Sequence, residues 1–348
     1  MIEKLENLRK EIDKINVNLL DLLNKRTELV QEISTLKDGL NSEYFDPVRE
    51  KQMLDNIIGQ NRGPLQNESV RTIFYNIFRT SLNIMGSVKE KRLLVGAGSD
   101  IAFERINEMF DLPINSKVII AGPCAVEEFE QLDQIAQLIK SKGLKFLRGG
   151  AYKPRTSPYD FQGKRENGVR MLYEVGRKYD LKTVTEVVDT RDVELVSKHV
   201  DILQIGARNM TNFELLKEVG KINKPVILKR GMNAKIDEFI FAAEYIALQG
   251  NRKIILCERG IRTFETKTRN TLDISSIPIL KKETNLPVIV DLSHSLGRKD
   301  IINDVAKAVV AVGAEGIMVE VHPYPHLALS DAEQQLNPEE FLSLLKLI

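Results

Sequence analysis

Eight short apolar runs in this chain each end on, or just before, a residue able to do chemistry. Cys124 follows VIIAGP, Arg148 ends LKFLR, Glu186 lies at the end of LKTVTEV, and Arg208 follows ILQIGA. Lys229 and Arg230 follow PVIL, Glu258 and Arg259 follow KIILC, Asp291 and His294 follow PVIV, and Glu320 and His322 fall at the end of GIMVEV. One charge in such a place is ordinarily a solvated loop charge. Repetition at every run needs another explanation. Arg148, Lys153, Arg208, Lys229 and Arg259 are cations that would repel one another at a common mouth unless an anion joined them. Guanidinium groups pair bidentately with phosphate and carboxylate. The expected substrate is therefore small and strongly anionic.

A second set mixes sulfur, nitrogen and oxygen. Cys124 precedes His294 of DLSH, Glu320 of VEVHP and Asp331 of ALSDAEQQ. Such donors suit a divalent ion such as Mn, Fe, Co or Zn. Each also has an ordinary reading: a buried Cys is often inert filler, and a strand-end His is often only hydrogen-bonded. With two cysteines, Cys124 and Cys257, there is no disulfide framework. Nucleophilic catalysis by Cys124 stays open, although no Cys–His–Asn signature accompanies it.

These residues need elements to position them. The runs at 118–122, 144–148, 181–187, 202–206, 225–229, 253–258, 287–291 and 316–321 read as strands, each followed by a helical stretch. Eight β/α units over about 230 residues are the length of a TIM barrel, whose chemistry sits at the C-terminal strand ends. An open doubly wound sheet is the alternative, but the glycine fingerprint of a dinucleotide site is missing. Residues 116–348 are assigned to the barrel, and 87–115 to a linker with one candidate strand at LLVGAG.

Residues 1–86 have another period. Leu5, Leu8, Ile12, Ile15, Leu19, Leu22, Leu29 and Ile33 recur at three and four, a long helix with an apolar seam. Asp46 and Pro47 open a second helix, GQNRGP ends it, and a third spans roughly 67–85. So long a seam predicts a dimer. Arg26 stands in the seam, costly unless paired; the plain readings are a register-setting residue or a snorkelling side chain. Lys37, eleven residues on, shares its face. Arg9 lies about 25 Å from Arg26 along the helix and could reach the same ligand only from a second chain.

Basic and acidic residues number 50 and 49, which excludes a global attraction to nucleic acid or an anionic membrane. No secretory leader or membrane span is evident, so a cytoplasmic protein is expected.

Taken together, GPCAVE, LRGGAYKPRTSPYDFQG, QIGARNM, LKRG, ERGIRTFE, DLSH and EVHPYPHLALSDAEQQ resemble 3-deoxy-D-arabino-heptulosonate 7-phosphate (DAHP) synthase over about 116–348. Residues 1–86 resemble an all-helical chorismate mutase, and the whole chain resembles bifunctional fusions of the two. The resemblance implies a two-domain enzyme: a helical mutase-like domain followed by a (β/α)8 barrel. The barrel would condense phosphoenolpyruvate with erythrose 4-phosphate, the first step of the shikimate pathway. Cys124, His294, Glu320 and Asp331 would hold the metal, with Mn the expected ion. Arg148, Lys153, Arg208, Lys229 and Arg259 would cradle phosphoenolpyruvate, with Asp291 beside them. Pro154, Arg155 and Thr156 would take the sugar phosphate, and Lys153, its pKa lowered among cations, would be the proton donor. Leu292 and SLGR depart from the family's usual residues after the Asp of DLSH, which touches only the loop's shape. The related octulosonate 8-phosphate synthase, which uses arabinose 5-phosphate, usually reads KANRSS where this chain has KPRTS.

In the helical domain the resemblance places Arg9, Arg26, Lys37, Asp46, Arg49, Glu50 and Ser81 around chorismate or prephenate, with Arg9 crossing a dimer. Arg9, Arg26, Lys37 and Glu50 would carry the catalysis. Met85 stands where the family often has Gln or Glu, which weakens the expectation of mutase turnover relative to ligand sensing. Feedback inhibition by either ligand, and a homodimer or homotetramer, follow as expectations.

Overall fold

The computed structural model describes residues 2–39, 46–88, 93–114, 116–155 and 157–348. The chain divides into two compact units, Met1–Arg92 and Leu93–Ile348.

The first unit is helical. Helix α1 (Ile2–Gly39) follows the three-and-four apolar rhythm, α2 (Pro47–Gln60) starts at Asp46, and α3 is Asn67–Val88. The Asp46 carboxylate accepts from the Arg49 backbone N–H at 2.9 Å, and Pro47 occupies the first turn, where its missing N–H costs nothing. Val30, Ser34, Val70, Phe78 and Ser81 are buried. By contrast Leu5, Leu8, Ile12, Ile15, Leu19 and Leu22 are exposed within one chain.

The second unit is a closed barrel. Strands β1 (Val118–Gly122), β2 (Phe146–Arg148), β3 (Lys182–Glu186), β4 (Ile202–Ile205), β5 (Val226–Lys229), β6 (Ile254–Glu258), β7 (Val288–Asp291) and β8 (Gly316–Glu320) pair in sequence order, and β8 closes on β1. Every pairing is parallel. The sequence-predicted strands coincide with these, differing by at most two residues at either end.

The period-2 pleat explains what the barrel shows at its mouth. One cluster holds Val118, Ile120, Phe146, Val184, Ile202, Ile227, Ile255, Cys257, Ile289 and Met318, the inward faces of all eight strands. Two residues further along the same faces come Arg148, Glu186, Gln204, Lys229, Arg259, Asp291 and Glu320. The alternate residues, among them Ala121, Leu147, Leu203, Leu228, Leu256, Val290 and Val319, pack outward against the helices. Gly122 has φ +147, and a Cβ there would lie 2.0 Å from the Arg148 carbonyl oxygen. The first strand end thus requires glycine.

Residues 87–115 were expected to be a linker. Instead, the described part from Leu93 onward belongs to the barrel unit. Val95 is fully buried, and Glu244 accepts from the N–H groups of Leu94 and Val95 at 3.0 and 3.1 Å. No strand forms at LLVGAG among the described residues; Gly96 makes one isolated bridge with Thr284. A short helix α4 (Ile106–Phe110) inserts Ile106 and Phe110 into the interior cluster, with the Phe110 ring edge-on to Phe146 at 4.8 Å. This apolar plug seals the end opposite the polar mouth. Among the described residues no helix is long and apolar enough to cross a membrane.

Candidate active site and metal centre

Ligand atoms of Cys124, Glu320 and Asp331 lie within 4.8 Å of one another. His294 Nε2 lies 3.5 Å from Glu320 Oε1 and 3.7 Å from Asp331 Oδ2. The four candidate ligands, spread over more than two hundred positions, therefore meet at one point. The short helix Leu292–Leu296 starts at Asp291, whose carboxylate accepts from the His294 N–H at 3.0 Å and fixes the imidazole's turn. The Cys124 N–H donates to Gln335 Oε1 at 2.9 Å, and the Glu320 N–H to Ser293 Oγ at 2.8 Å. Asp331 sits at φ +52, a left-handed conformation that Asp tolerates better than most residues.

Burial, reinforced by Glu320, pushes the Cys124 thiol up to about 12. Burial lowers the pKa of His294, although Asp291 and Glu320 oppose it. Burial works against charge on Glu320, but His294, Arg148 and Lys153 outweigh it and hold the carboxyl well below the usual range. Two carboxylates, an imidazole and a thiol kept from ionising by its surroundings are a donor set that a divalent cation would complete. The residues fit the ion predicted for them.

The mouth beside this centre is lined by Arg148, Lys153, Arg155, Arg208, Lys229 and Arg259, all named from sequence. Pro154 lines it too. Some cations are already matched. Arg148 donates to Glu320 Oε1 at 2.5 Å and to the Cys124 carbonyl at 3.3 Å. Lys229 donates to the Asp291 carboxylate. Lys153 Nζ lies 3.0 Å from Cys124 Sγ and 3.2 Å from its carbonyl. Among the described residues Arg259 donates to the carbonyls of Gly260 and His294, and exposed Arg208 to that of Pro154 at 3.5 Å. An anion binding here would therefore meet fewer uncompensated charges than the five cations suggested.

Two expectations are corrected. Asp291 is fully buried and lies beneath the mouth rather than lining it. Burial opposes its charge, but His294 and Lys229 hold its carboxyl well below the usual range, and its carboxylate accepts from both. Lys153 does not have a lowered pKa. Burial pulls it down, but Cys124 and Glu320 together outweigh burial and Arg148, and the charged form is favoured. Thr156 lies outside the described residues.

Sequence reasoning left Glu186, Gln204, Met232, Arg262, Arg269 and Asn270 unassigned, and they line the same cavity. The inward pleat register could have found Glu186 and Gln204. Burial raises the pKa of Glu186 although Lys153 and Lys229 oppose it. Arg230, next to Lys229, turns the other way and pairs with Glu258 at 2.9 Å and Asp273 at 2.8 Å. Cys257 is part of the barrel's interior packing, and neither cysteine forms a disulfide.

In the helical unit Arg26 donates to Ser81 Oγ, and its guanidinium lies 5.5 Å from the Phe78 ring centroid. Its pKa is lowered by burial. Lys37 and Glu50 are half-buried, and Asp46 and Arg49 are exposed at the start of α2. Arg9 is exposed and pairs with Glu6 on its own helix at 3.0 Å. The side chain of Met85 lies outside the described residues.

Comparison with known proteins gives two domain matches. Residues 112–348 match the DAHP synthetase I family, and residues 8–85 match chorismate mutase type II. A phospho-2-dehydro-3-deoxyheptonate aldolase of Thermotoga maritima is 56% identical over 228 residues, covering 66% of this chain and 68% of the relative. A 2-dehydro-3-deoxyphosphooctonate aldolase of Methylococcus capsulatus is 30% identical over 249 residues, covering 66% of this chain and 87% of the relative. The crystal structure of the Thermotoga DAHP synthase superposes with a TM-score of 0.70 at 51% identity, over 73% of this chain and 74% of that one.

Proposed function

Because the chain belongs to the DAHP synthetase I family and carries a chorismate mutase type II domain, we propose that its barrel reaction runs at the Cys124–His294–Glu320–Asp331 centre and the cationic mouth beside it. The barrel is a DAHP synthase, condensing phosphoenolpyruvate with erythrose 4-phosphate. Identity of 56% to the heptonate enzyme against 30% to the octonate enzyme favours the four-carbon acceptor. The observation that carries the residue assignment is the convergence of Cys124, His294, Glu320 and Asp331 beside a cavity lined by six cations named from the sequence.

In this reading Arg148, Lys153, Arg208, Lys229 and Arg259 grip the carboxylate and phosphate of phosphoenolpyruvate and aim its C3 at the acceptor. Arg155 holds the sugar phosphate with Pro154 and Thr156. Cys124, His294, Glu320 and Asp331 hold a divalent cation, Mn foremost, which when bound supplies Lewis acidity toward the aldehyde oxygen. As C3 of phosphoenolpyruvate bonds to the aldehyde carbon, Lys153, held charged beside Cys124, gives its proton to the aldehyde oxygen; water adds at C2, and phosphate leaves as the C2–O bond breaks. Glu186, its carboxyl raised by burial, is placed among the same cations.

Arg155→Ala tests the acceptor end. Arg155 Nε donates to the Phe161 carbonyl at 3.1 Å, so the side chain is already aimed. Loss of one charged hydrogen bond costs about 1.5–3 kcal/mol, or roughly 10–150-fold. The rise is expected in the KM for erythrose 4-phosphate, with that for phosphoenolpyruvate nearly unchanged. Equal rises in both would remove Arg155 from the acceptor site.

The helical unit binds chorismate and prephenate in this reading, through Arg26, Lys37, Asp46, Arg49, Glu50 and Ser81, with Arg9 contributed by a second copy. Support comes from the half-buried Arg26 held by Ser81 and from the row Leu5 to Leu22, which a second copy would cover. A homodimer, or a homotetramer built from it, follows. This unit both isomerises chorismate and reports its level, or prephenate's, to the barrel.

A further inference from the structure

Beyond the four candidate ligands, one buried amide touches two of them. Gln334 Nε2 donates to Glu320 Oε2 at 2.5 Å and reaches Asp331 Oδ2 at 3.3 Å. Gln334 is only 4% exposed. Its other end, Oε1, accepts from Arg269 Nη1 at 2.6 Å. The same Arg269 nitrogen donates to Asp331 Oδ2 at 3.0 Å.

Chemistry fixes which way this amide faces. Guanidinium has donors and no acceptor, and ionised carboxylates have acceptors and no donor. Only one orientation satisfies all three neighbours, with the carbonyl toward Arg269 and the NH2 toward Glu320 and Asp331. Arg269 is itself fixed, because its backbone N–H donates to the Leu296 carbonyl, two residues beyond His294, at 2.8 Å. Glu320 then has Oε2 engaged by Gln334, while Oε1 meets Arg148 and faces His294 Nε2.

We propose that Gln334, oriented by Arg269, is a positioning residue that sets how Glu320 and Asp331 present their oxygens, and so sets the affinity and geometry of the cation site. The inference rests on the metal reading above. Two like charges held this close need a shared donor to stay in register when no cation is bound. Hydrogen bonds to ligating carboxylates also fix their orientation once it is. The sequence contains this pair only as the first, unassigned glutamine of SDAEQQ and an arginine in the loop after β6.

The test uses Co(II) as probe on the full chain. Gln334→Met keeps volume and removes both hydrogen-bonding ends. Arg269→Met removes the orienting donor at a partly exposed position, and Arg269→Lys retains a cation that can donate. Affinity is read by competition with a chelator, and geometry by the d–d absorption. The Cys124 sulfur-to-cobalt charge-transfer band reports that the ion is in the site. Gln334→Met and Arg269→Met should each weaken Co(II) binding about 10–100-fold and alter the d–d bands while the charge-transfer band persists. Arg269→Lys should restore most of both. Affinities within twofold of the parent, with unchanged d–d bands, overturn the proposal. If Gln334→Met fails to fold, Arg269→Met decides by the same two readings. A parent protein with no charge-transfer band would instead overturn the metal reading itself, so the two failures are distinct.

Discussion

Stripping divalent ions from the full chain is expected to abolish condensation, and adding Mn to restore it. Cys124→Ala should lose on the order of a thousandfold in kcat, since a Lewis-acid metal supplies several kcal/mol of charge stabilisation and each 1.4 kcal/mol is tenfold. The reason lies in the thiol's surroundings. Cys124 is fully buried, and burial with Glu320 pushes it up to about 12, outweighing Lys153 and Arg148, which favour the thiolate. A bound cation would reverse that balance and release a proton on binding. Cys257 is the internal control. It is equally buried, but in the apolar interior among Ile255, Ile289 and Ile227. Cys257→Ser should lower Tm and leave the metal requirement intact. Steady-state rates of both variants across a Mn titration make the comparison. Full activity of Cys124→Ala in chelator would contradict it.

The second large effect concerns where the chain can be cut. Deleting residues 1–92 should leave condensation active and remove its response to chorismate and prephenate. A coupling of about 1–3 kcal/mol makes that response roughly 5–150-fold in the whole chain. It is reciprocal, so phosphoenolpyruvate should weaken effector binding by the same factor. Extending the deletion through residue 115 should destroy the barrel. That cut removes Val95, Phe103, Ile106 and Phe110, all buried, and losing even one buried Phe side chain costs about 3–5 kcal/mol. Inhibition curves with prephenate on the whole chain and the 93–348 fragment separate the outcomes. A fragment inhibited as strongly as the whole chain would reduce the helical unit to a tethered enzyme or a dimer clamp.

The contrast between the two cuts shows what the sequence could and could not disclose. The barrel was legible because every strand is a dense run of β-branched or other apolar residues with a polar terminus. The ends differ where neighbouring turns capture residues: Leu144 was read into β2, but its N–H bonds the Ile139 carbonyl of the preceding helix's final turn. The plug was illegible because α4 has five residues, and two apolar positions four apart carry no measurable period. Its role comes from contact with Phe146, which no local pattern encodes.

The site divides in the same way. Cys124 and His294 could be named because their types are rare, and Glu320 and Asp331 because their motifs are specific. Asp291 was misplaced because motif membership does not reveal depth; the strand carries it below the mouth, against Lys229 and His294. Lys153 was given the wrong pKa direction because the count of nearby cations omitted Glu320 and the thiol. Gln334 and Arg269 come from separate loops, and their meeting depends on tertiary placement alone.

The most direct measurement is product formation from phosphoenolpyruvate with erythrose 4-phosphate and, separately, with arabinose 5-phosphate, using metal-stripped and Mn-reloaded protein. The expected result is rapid seven-carbon product from the four-carbon sugar, only in the reloaded protein, with little turnover of the five-carbon sugar. Equal turnover of both sugars, or turnover undiminished in chelator, would contradict a metal-dependent DAHP synthase at this site.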